Sequence, residues 1–163
     1  MSKYWARGRL AEVGMALLQR LCNDSEMSVS GKTSQRILVV DDEPMVCDSV
    51  RMMLVGDGHE VETAGSGEAA LAIFEERRFD LVIVDYELPL MNGDKVAVAI
   101  KALDPNQPIV LITAYAEALR SAATPLPGVA LVIGKPFDAH ELCQAVTRLL
   151  KERVRPPGAA RGQ

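Results

Sequence analysis

The sequence has few cysteines, no long apolar run and no cluster of basic residues. Its three cysteines, Cys22, Cys47 and Cys143, are widely separated and form no C-x-x-C pair, which argues against a disulfide framework or a thiolate metal site. No apolar segment of the sequence approaches the ~20 residues that span a bilayer, and no small-residue cleavage site follows the basic start of the chain. We therefore expect a cytoplasmic protein with reduced thiols and no membrane contact.

The middle of the chain is also poor in positive charge. Residues 36–150 contain nine Lys or Arg against eighteen Asp or Glu, whereas the rest of the chain carries nine against four. Nonspecific binding to nucleic acid needs clustered Lys and Arg that neutralise phosphates. The acidic central region therefore predicts no direct contact with nucleic acid.

The length and the composition of the two ends predict one domain with flanking segments. A chain of 163 residues is long enough for one domain with a real core and short for two. Small polar residues over 22–35 and the Pro- and Gly-rich end from Arg155 indicate flexible flanks. Apolar residues at helical spacing over 10–21 indicate a marginal helix or, alternatively, a small docking or dimerisation helix. The predicted organisation is an N-terminal extension over 1–34, a domain over 35–152 and a C-terminal tail or linker over 153–163.

Five short runs rich in Val, Ile and Leu alternate with five segments whose apolar residues recur at helical spacing. The runs predict buried strands and the intervening segments predict helices. Strict alternation implies parallel strands with right-handed crossovers and helices on both faces. The predicted fold is a doubly wound α/β domain with a five-stranded parallel sheet in the order 2-1-3-4-5 and five helices. The predicted strands are 36–40, 60–64, 81–84, 109–112 and 129–133, and the predicted helices are 45–55, 67–77, 94–103, 116–123 and 138–153.

Acidic residues follow the two strands that flank the predicted reversal of winding direction, where ligands of such sheets bind. Asp41, Asp42 and Glu43 come directly after the first strand, and Asp85 follows the third. Carboxylates that converge there would repel one another unless a hard cation neutralised them, and an oxygen-only set suits Mg²⁺. The pattern predicts a magnesium site, with Mn²⁺ as a substitute. The alternative is that these residues only begin loops or cap helices.

Two further polar residues come at the ends of the fourth and fifth strands. Thr113 supplies a hydroxyl and Lys135 an ammonium at the same edge of the sheet. An ionised Asp is a competent nucleophile toward phosphorus, and the cation, Lys135 and Thr113 would stabilise charge on the phosphoryl oxygens. The combination predicts a phosphoryl site with Asp85 as acceptor, although a residue such as Thr113 or Lys135, taken singly, is more often an ordinary strand-end residue or a solvated loop lysine.

Four motifs between about residues 35 and 152 are typical of one known family: ILVVDDEP, LVIVDYELPLMNG, LITAY and GKPF. With these motifs the chain resembles the receiver domain of two-component response regulators, which is chemotaxis-regulator-like and has a flavodoxin-like fold. The resemblance implies that a histidine kinase or histidine phosphotransfer protein phosphorylates Asp85. It implies no enzyme activity beyond the receiver's own phosphorylation and slow autodephosphorylation. We expect a stand-alone receiver that acts on an unknown downstream protein effector, as a monomer or a weak phosphorylation-dependent dimer.

The resemblance also assigns roles around Asp85. It makes Asp42 a direct metal ligand, Asp41 its acidic partner acting through water, and the backbone carbonyl of Glu87 the third protein ligand. Thr113 and the backbone amide of Ala114 would bind the phosphoryl group, with which Lys135 would pair. Tyr115 and the Glu87 side chain would border the group and tune the lifetime of the acyl phosphate.

The loop positions and one departure complete the comparison with the family. Pro89 stiffens the loop after Asp85, Gly93 is expected to supply a backbone angle closed to other residues, and Pro136 is expected to follow a cis peptide bond. The switch position, often aromatic in the family, is Val132 here, which puts coupling through a rotating ring in doubt.

Pro125 and Pro127 further predict a shortened fourth helix and an output surface elsewhere. His59 and His140 are expected at the surface.

Two alternative functions remain open at this point. A degenerate receiver would act as a phosphorylation-independent interaction module, but it would lack one or more of the acids, Thr or Lys, all of which are present. A phosphatase of the haloacid dehalogenase type would also combine an Asp nucleophile with Thr and Lys. Its motif needs a second Asp two positions after the nucleophile, where this chain has Glu87.

Overall fold

The computed structural model describes residues 34–121 and 126–154, in which strands and helices alternate strictly. The strands are β1 (Arg36–Val40), β2 (Glu60–Ala64), β3 (Leu81–Asp85), β4 (Ile109–Thr113) and β5 (Leu131–Gly134). The helices are α1 (Pro44–Gly56), α2 (Gly67–Glu76), α3 (Gly93–Leu103), α4 (Ala116–Ser121) and α5 (Ala139–Val154). The predicted helix over 10–21, Pro125 and the predicted end of α4 lie outside the described residues.

The five strands form one parallel sheet in the order β2-β1-β3-β4-β5. Because β1 has β2 on one side and β3 on the other, the winding direction reverses beside β1. In the register of these strands Val40 lies opposite Val84 and Asp85 opposite Ile112. The predicted fold class and strand order are confirmed, and the carboxyl ends of β1, β3 and β4 lie side by side.

Alternate residues of each strand enter two separate cores, one on each face of the sheet. Ile37 and Val39 of β1 face α1 and α5, whereas Leu38 and Val40 face α2 and α3. These four side chains are at most 2% exposed, and each fully buried aliphatic side chain contributes about 1.5–3 kcal/mol relative to exposure. Burial on both faces explains why the central strands are apolar without interruption.

Local sequence signals fix the starts of several helices. Pro44 occupies the first turn of α1, where its missing amide hydrogen costs no helical bond. The Ser66 hydroxyl accepts a hydrogen bond from the Ala69 amide at 3.2 Å at the start of α2, and Asp138 Oδ1 accepts one from the Glu141 amide at 2.8 Å at the start of α5. These caps satisfy amides that the helices leave unpaired.

The last strand and the last helix differ from the predicted bounds. β5 begins at Leu131 rather than at residue 129, because Gly128 has φ +82° and the Val129 amide donates to the Leu126 carbonyl at 3.3 Å. Val129 and Ala130, which the apolar pattern predicted as the first residues of the strand, therefore precede β5. Helix α5 (Ala139–Val154) begins and ends one residue later than the predicted helix over 138–153.

The predicted surface position of His59 is wrong. Its side chain is 6% exposed, and Nε2 lies 3.5 Å from Asp57 Oδ2 in the turn between α1 and β2. The turn folds back tightly because Gly58 adopts φ +92°, which carries the imidazole inward. His140, in contrast, is exposed on α5 as predicted, and its ring hydrogen-bonds Gln144.

Among the helices of 34–121 and 126–154, none combines the length and the apolar character that a bilayer crossing requires.

Candidate functional site

Three carboxylates meet at the carboxyl edge of the sheet. Asp41 follows β1 and Asp85 ends β3, and both are nearly inaccessible, at 4% and 5% exposure. Asp42 belongs to the same group but is exposed. One carboxylate oxygen from each residue lies within 4.8 Å of the others. The parallel topology therefore brings together the three acids predicted from the sequence as one cluster.

The donor set of this cluster fits a hard divalent cation. All its ligand atoms are carboxylate oxygens, which Mg²⁺ and Mn²⁺ prefer, and no thiolate or imidazole belongs to it. Two of the three acids are buried, so their mutual repulsion is poorly screened by water. The residues present thus fit the predicted metal, with Asp42 offering the exposed side of the cluster.

Lys135 lies between two of the acids. Its Nζ is 3.1 Å from Asp41 Oδ2 and 3.0 Å from Asp85 Oδ1. The backbone directs it there, since the Lys135 amide donates to the Thr113 carbonyl at 2.8 Å at the end of β5. The Lys135–Pro136 peptide bond is cis, which confirms the expectation for Pro136.

Asp41 is the most constrained of the three acids. Its Oδ1 accepts a hydrogen bond from the Glu43 amide at 2.9 Å, while Oδ2 faces Lys135. The Cys47 thiol, buried in α1, donates to the Asp41 backbone carbonyl at 3.3 Å. Both Asp41 oxygens are thus engaged within the protein.

The charges of the site shift two pKa values. Burial raises the pKa of Asp85 above its ordinary value, although the hydrogen bond and the charge of Lys135 act in the opposite direction. Desolvation lowers the pKa of Lys135, but its hydrogen bonds to Asp85 and Asp41 and the charges of both carboxylates outweigh that effect, and the net pKa is raised. Lys135 therefore stays cationic, and Asp85 is in an environment short of positive charge.

Burial also acts on Cys47. It raises the pKa of this thiol, and the negative charge of Asp41 adds to the effect. Sequence reasoning gave Cys47 no place near the site, and its position on the inner face of the first helix was the available signal. A thiol held protonated in this way acts as a hydrogen-bond donor rather than as a nucleophile.

Thr113 and the loop after it lie on the other side of Asp85 from Asp41, because β3 pairs with β1 on one side and with β4 on the other. Thr113 is fully buried, and its hydroxyl oxygen accepts a hydrogen bond from the Tyr115 amide at 3.0 Å. Ala114 and Tyr115 are exposed beside it, as is Glu87 after β3. The structure thus places Thr113 at the end of β4 and the other predicted phosphoryl-binding and tuning residues of this region in the loops at the same edge, and their roles remain predictions.

The loop after Asp85 departs from the expectation for Gly93. The Gly93 φ is not positive, so the predicted reason for a glycine is wrong. Instead, a Cβ at this position would overlap the backbone carbonyl oxygen of Asp85, and the Gly93 amide donates to the Tyr86 carbonyl at 2.9 Å. The residue of this loop that has a positive φ is Leu90, at +66°. Its side chain is 96% exposed and follows the exposed Pro89. Nothing in the sequence pattern pointed to Leu90.

Val132, at the predicted switch position, is a small aliphatic residue. It lies opposite Leu111 in the register of β5 and β4 and packs, partly buried, against the core on the α2 and α3 side. Its backbone carbonyl accepts a hydrogen bond from Arg120 of α4 at 2.7 Å. This contact of Arg120 was missed from the sequence, because its acceptor is a backbone atom that no side-chain pattern identifies.

Comparison with known proteins identifies the family to which this fold and its acidic cluster belong. Residues 37–147 match the family "Response regulator receiver domain". The DNA-binding response regulator MtrA of Mycolicibacterium smegmatis is 36% identical over 123 residues, which are 76% of this chain and 54% of that protein. The chain therefore belongs to the response regulator receiver family, and it spans about half the length of the curated relatives it matches.

Solved structures give the same assignment. A CheY-like receiver domain from Methanospirillum hungatei superimposes with a TM-score of 0.69 at 30% identity, covering 74% of this chain and 97% of that one. The response regulator TrrA of Thermotoga maritima, solved in complex with Mg²⁺ and BeF, gives a TM-score of 0.65 at 36% identity, covering 71% and 98%. A receiver domain of a response regulator is thus the class of this chain.

Proposed function

We propose that Asp85 is the residue at which this receiver is phosphorylated, with a histidine kinase or histidine phosphotransfer protein as donor. The observation that supports the proposal is the placement of Asp85 beside Asp41 and Asp42, with Lys135 Nζ at 3.0 Å from its Oδ1. The family of the chain and its resemblance to a structure holding Mg²⁺ and BeF point the same way.

In the proposed reaction an Asp85 carboxylate oxygen attacks the phosphorus of a phosphohistidine. An O–P bond forms, the P–N bond breaks, and the donor imidazole leaves with the electron pair of that bond. Lys135 can turn from Asp85 toward the new phosphoryl oxygens, because its ammonium already lies at this edge. The Thr113 hydroxyl and the Ala114 amide would donate to the same oxygens.

The metal has its proposed place at the acidic cluster. Asp42, Asp85 and the backbone carbonyl of Glu87 would hold Mg²⁺, or Mn²⁺ in its stead, and Asp41 would act through water. When bound, the cation would neutralise the carboxylates and stabilise charge on the phosphoryl oxygens. Hydrogen bonds from the Glu43 amide and from Lys135 hold the two Asp41 oxygens in place, which supports an indirect role for Asp41 at the metal.

The aspartyl phosphate would be a signal rather than the intermediate of an enzyme. Slow autodephosphorylation would limit its lifetime, tuned by Glu87 and Tyr115, which are exposed on the two loops that border Asp85. The added charge would then shift the surrounding loops between two arrangements.

The output side of the proposal concerns protein contacts. We propose that this receiver binds a downstream protein effector, as a monomer or a weak phosphorylation-dependent dimer. The excess of acidic residues over 36–150 supports contact with proteins rather than with nucleic acid. DNA binding is stated for curated relatives such as MtrA, of which this chain covers 54%.

The phosphoryl site is tested by intact-mass measurement after incubation with Mg²⁺ and acetyl phosphate. The wild type is expected to gain one phosphoryl group, and Asp85→Asn none. Asp48→Asn is the matched control, because Asp48 is an exposed acid on α1 outside the cluster, and it should be modified like the wild type. An adduct on Asp85→Asn would refute the assignment, and no adduct on any of the three would favour a phosphorylation-independent module.

The donor and the effector need a separate experiment. Phosphotransfer from purified histidine kinases and phosphotransfer proteins of the same organism should label the wild type and not Asp85→Asn. Capture of binding proteins with and without phosphorylation then tests the output. A partner captured equally by both forms would contradict a phosphorylation switch.

A further inference from the structure

Helix α4 is held on the sheet by few side chains. Its described residues, Ala116–Ser121, contain one buried side chain, that of Ala116, and Leu119 packs partly buried against the neighbouring core. Six residues of helix gain little stability from their own hydrogen bonds, so tertiary contacts largely decide where this part of α4 lies. Any further bond between α4 and the sheet therefore has a large effect on its position.

Two contacts attach α4 to alternate residues of β5. At its start, Ala116 lies over Gly134, where a Cβ on the glycine would be only 3.2 Å from the Ala116 Cβ. At its end, Arg120 Nη2 donates to the Val132 carbonyl at 2.7 Å. A hydrogen bond from a charged donor is stronger than one between neutral groups. Arg120 is thus the polar attachment of α4 to β5.

The same helix is connected to the phosphoryl site at its other end. The Leu119 amide donates to the Tyr115 carbonyl at 3.0 Å, and the Tyr115 amide donates to the Thr113 hydroxyl oxygen at 3.0 Å. A continuous path of short hydrogen bonds and covalent links therefore joins Thr113 Oγ1 to α4.

The path of bonds from Thr113 to α4 also leads back to Thr113 through β5. Arg120 joins α4 to Val132, and three residues further along the chain the Lys135 amide donates to the Thr113 carbonyl at 2.8 Å. Thr113 is thus held from both sides, through Tyr115 on one and through Lys135 on the other. The Arg120 bond is the exposed member of this ring of contacts, and it can break without opening the core.

We propose that Arg120 is a positioning residue that holds α4, and through Tyr115 the Thr113 hydroxyl, in the arrangement of this structure. The inference rests on the proposed function, in which the Thr113 hydroxyl donates to a phosphoryl group on Asp85. Any rotation of Thr113 toward that group displaces the Tyr115 amide from Oγ1, and the Arg120 bond opposes the resulting shift of α4. Removing the bond should therefore favour the phosphoryl-bound arrangement.

The test uses beryllofluoride with Mg²⁺ as a phosphoryl mimic, followed through the amide NMR signals of Ala114 and Tyr115. Arg120→Ala should bind the mimic about threefold more tightly than the wild type, as expected for the loss of one exposed, charge-assisted hydrogen bond. It should also shift the Tyr115 amide signal before the mimic is added. Arg120→Lys keeps a charged donor and should lie between wild type and Arg120→Ala, and Arg78→Ala removes an exposed arginine of another loop and should match the wild type.

The outcomes separate the inference from the function on which it rests. Failure of the wild type to bind the mimic overturns the proposed function itself. With the wild type binding, unchanged or weaker affinity of Arg120→Ala overturns the role of Arg120, and so does an Arg120→Lys variant that behaves like Arg120→Ala. A general loss of stability would lower the melting temperature without tightening binding, so the affinity change distinguishes positioning from mere structural support.

Discussion

The two edges of the sheet carry similar charged residues in opposite arrangements. At the amino edge, Glu62 lies 3.0 Å from Arg36 and 2.8 Å from Arg77, so two arginines share one acid. At the carboxyl edge three acids cluster, and Lys135 contacts two of them, Asp41 and Asp85, which are almost fully buried. The amino edge is balanced and partly exposed, whereas the carboxyl edge is buried and short of positive charge.

This difference separates a structural charge network from a reactive one. Exposed ion pairs typically contribute about 0.2–1 kcal/mol each, because water screens them. Removing one partner of a buried pair costs about 3–5 kcal/mol, since the other charge is left uncompensated. The amino edge therefore tolerates change, and the carboxyl edge is sensitive to any cation or phosphoryl group that alters its charge.

The largest expected effect follows from removing Lys135, the cation that contacts Asp41 and Asp85. Lys135→Ala should lower the free energy of unfolding without metal by about 2–3 kcal/mol, toward the lower end for a buried pair because Lys135 is partly exposed. The rate of phosphorylation by acetyl phosphate should fall by about 100-fold or more. Urea unfolding in chelator and intact mass against time measure the two effects.

The matched change at the amino edge is Arg77→Ala, which removes an arginine that pairs with Glu62 at half-exposed positions. It should cost less than about 1 kcal/mol and leave phosphorylation unchanged. Equal losses of stability in Arg77→Ala and Lys135→Ala would remove the distinction between the two edges.

A second prediction concerns the backbone that shapes the carboxyl edge. Gly93→Ala places a methyl group against the Asp85 carbonyl oxygen, which should destabilise the protein by about 2 kcal/mol and slow phosphorylation as the loop moves. Gly56→Ala is the control, because no atom lies within 4 Å of its added Cβ, and it should stay within about 1 kcal/mol of the wild type. Thermal unfolding ranks the two, and a Gly93→Ala protein as stable and reactive as wild type would contradict the close approach.

The third and smallest predicted effect is a change in stability that has opposite signs at the two edges when an aspartate is replaced by asparagine. Asp85→Asn removes a carboxylate whose pKa burial raises, and Lys135 keeps Asp41 as its partner. Without metal the change should therefore stabilise the protein by about 1 kcal/mol. Asp80→Asn at the amino edge weakens the contacts of Asp80 with the Arg36 amide and Arg153 and should destabilise by about 0.5 kcal/mol. Chemical unfolding in chelator measures both, and destabilisation by Asp85→Asn would show that Lys135 already balances this edge.

The sequence was sufficient for the fold and for the members of the acidic cluster. Parallel strands align their carboxyl ends, so residues that follow β1 and β3 must meet, and Asp41, Asp42 and Asp85 do. Thr113 and Lys135 follow from the same rule at β4 and β5. Such arguments succeed because they depend on strand order and on apolar patterning, both of which are properties of whole segments.

The details that the sequence did not reveal depend on single backbone angles and backbone acceptors. The inward turn of His59 follows from Gly58, the late start of β5 from the turn at Gly128, and the positive φ falls on Leu90 rather than on Gly93. The Arg120 contact ends on a carbonyl oxygen. None of these has a periodicity or a side-chain partner that a linear pattern can show.

The central claim, that the carboxyl edge concentrates reactivity on Asp85, is tested most directly by locating the modified residue. After phosphorylation with Mg²⁺ and acetyl phosphate, borohydride reduces an acyl phosphate to the alcohol, and peptide mass spectrometry then identifies the converted aspartate as homoserine. The account predicts homoserine at position 85, and its loss when Mg²⁺ is withheld. Homoserine at Asp41 or Asp42, or conversion spread over exposed acids such as Asp48, would contradict it.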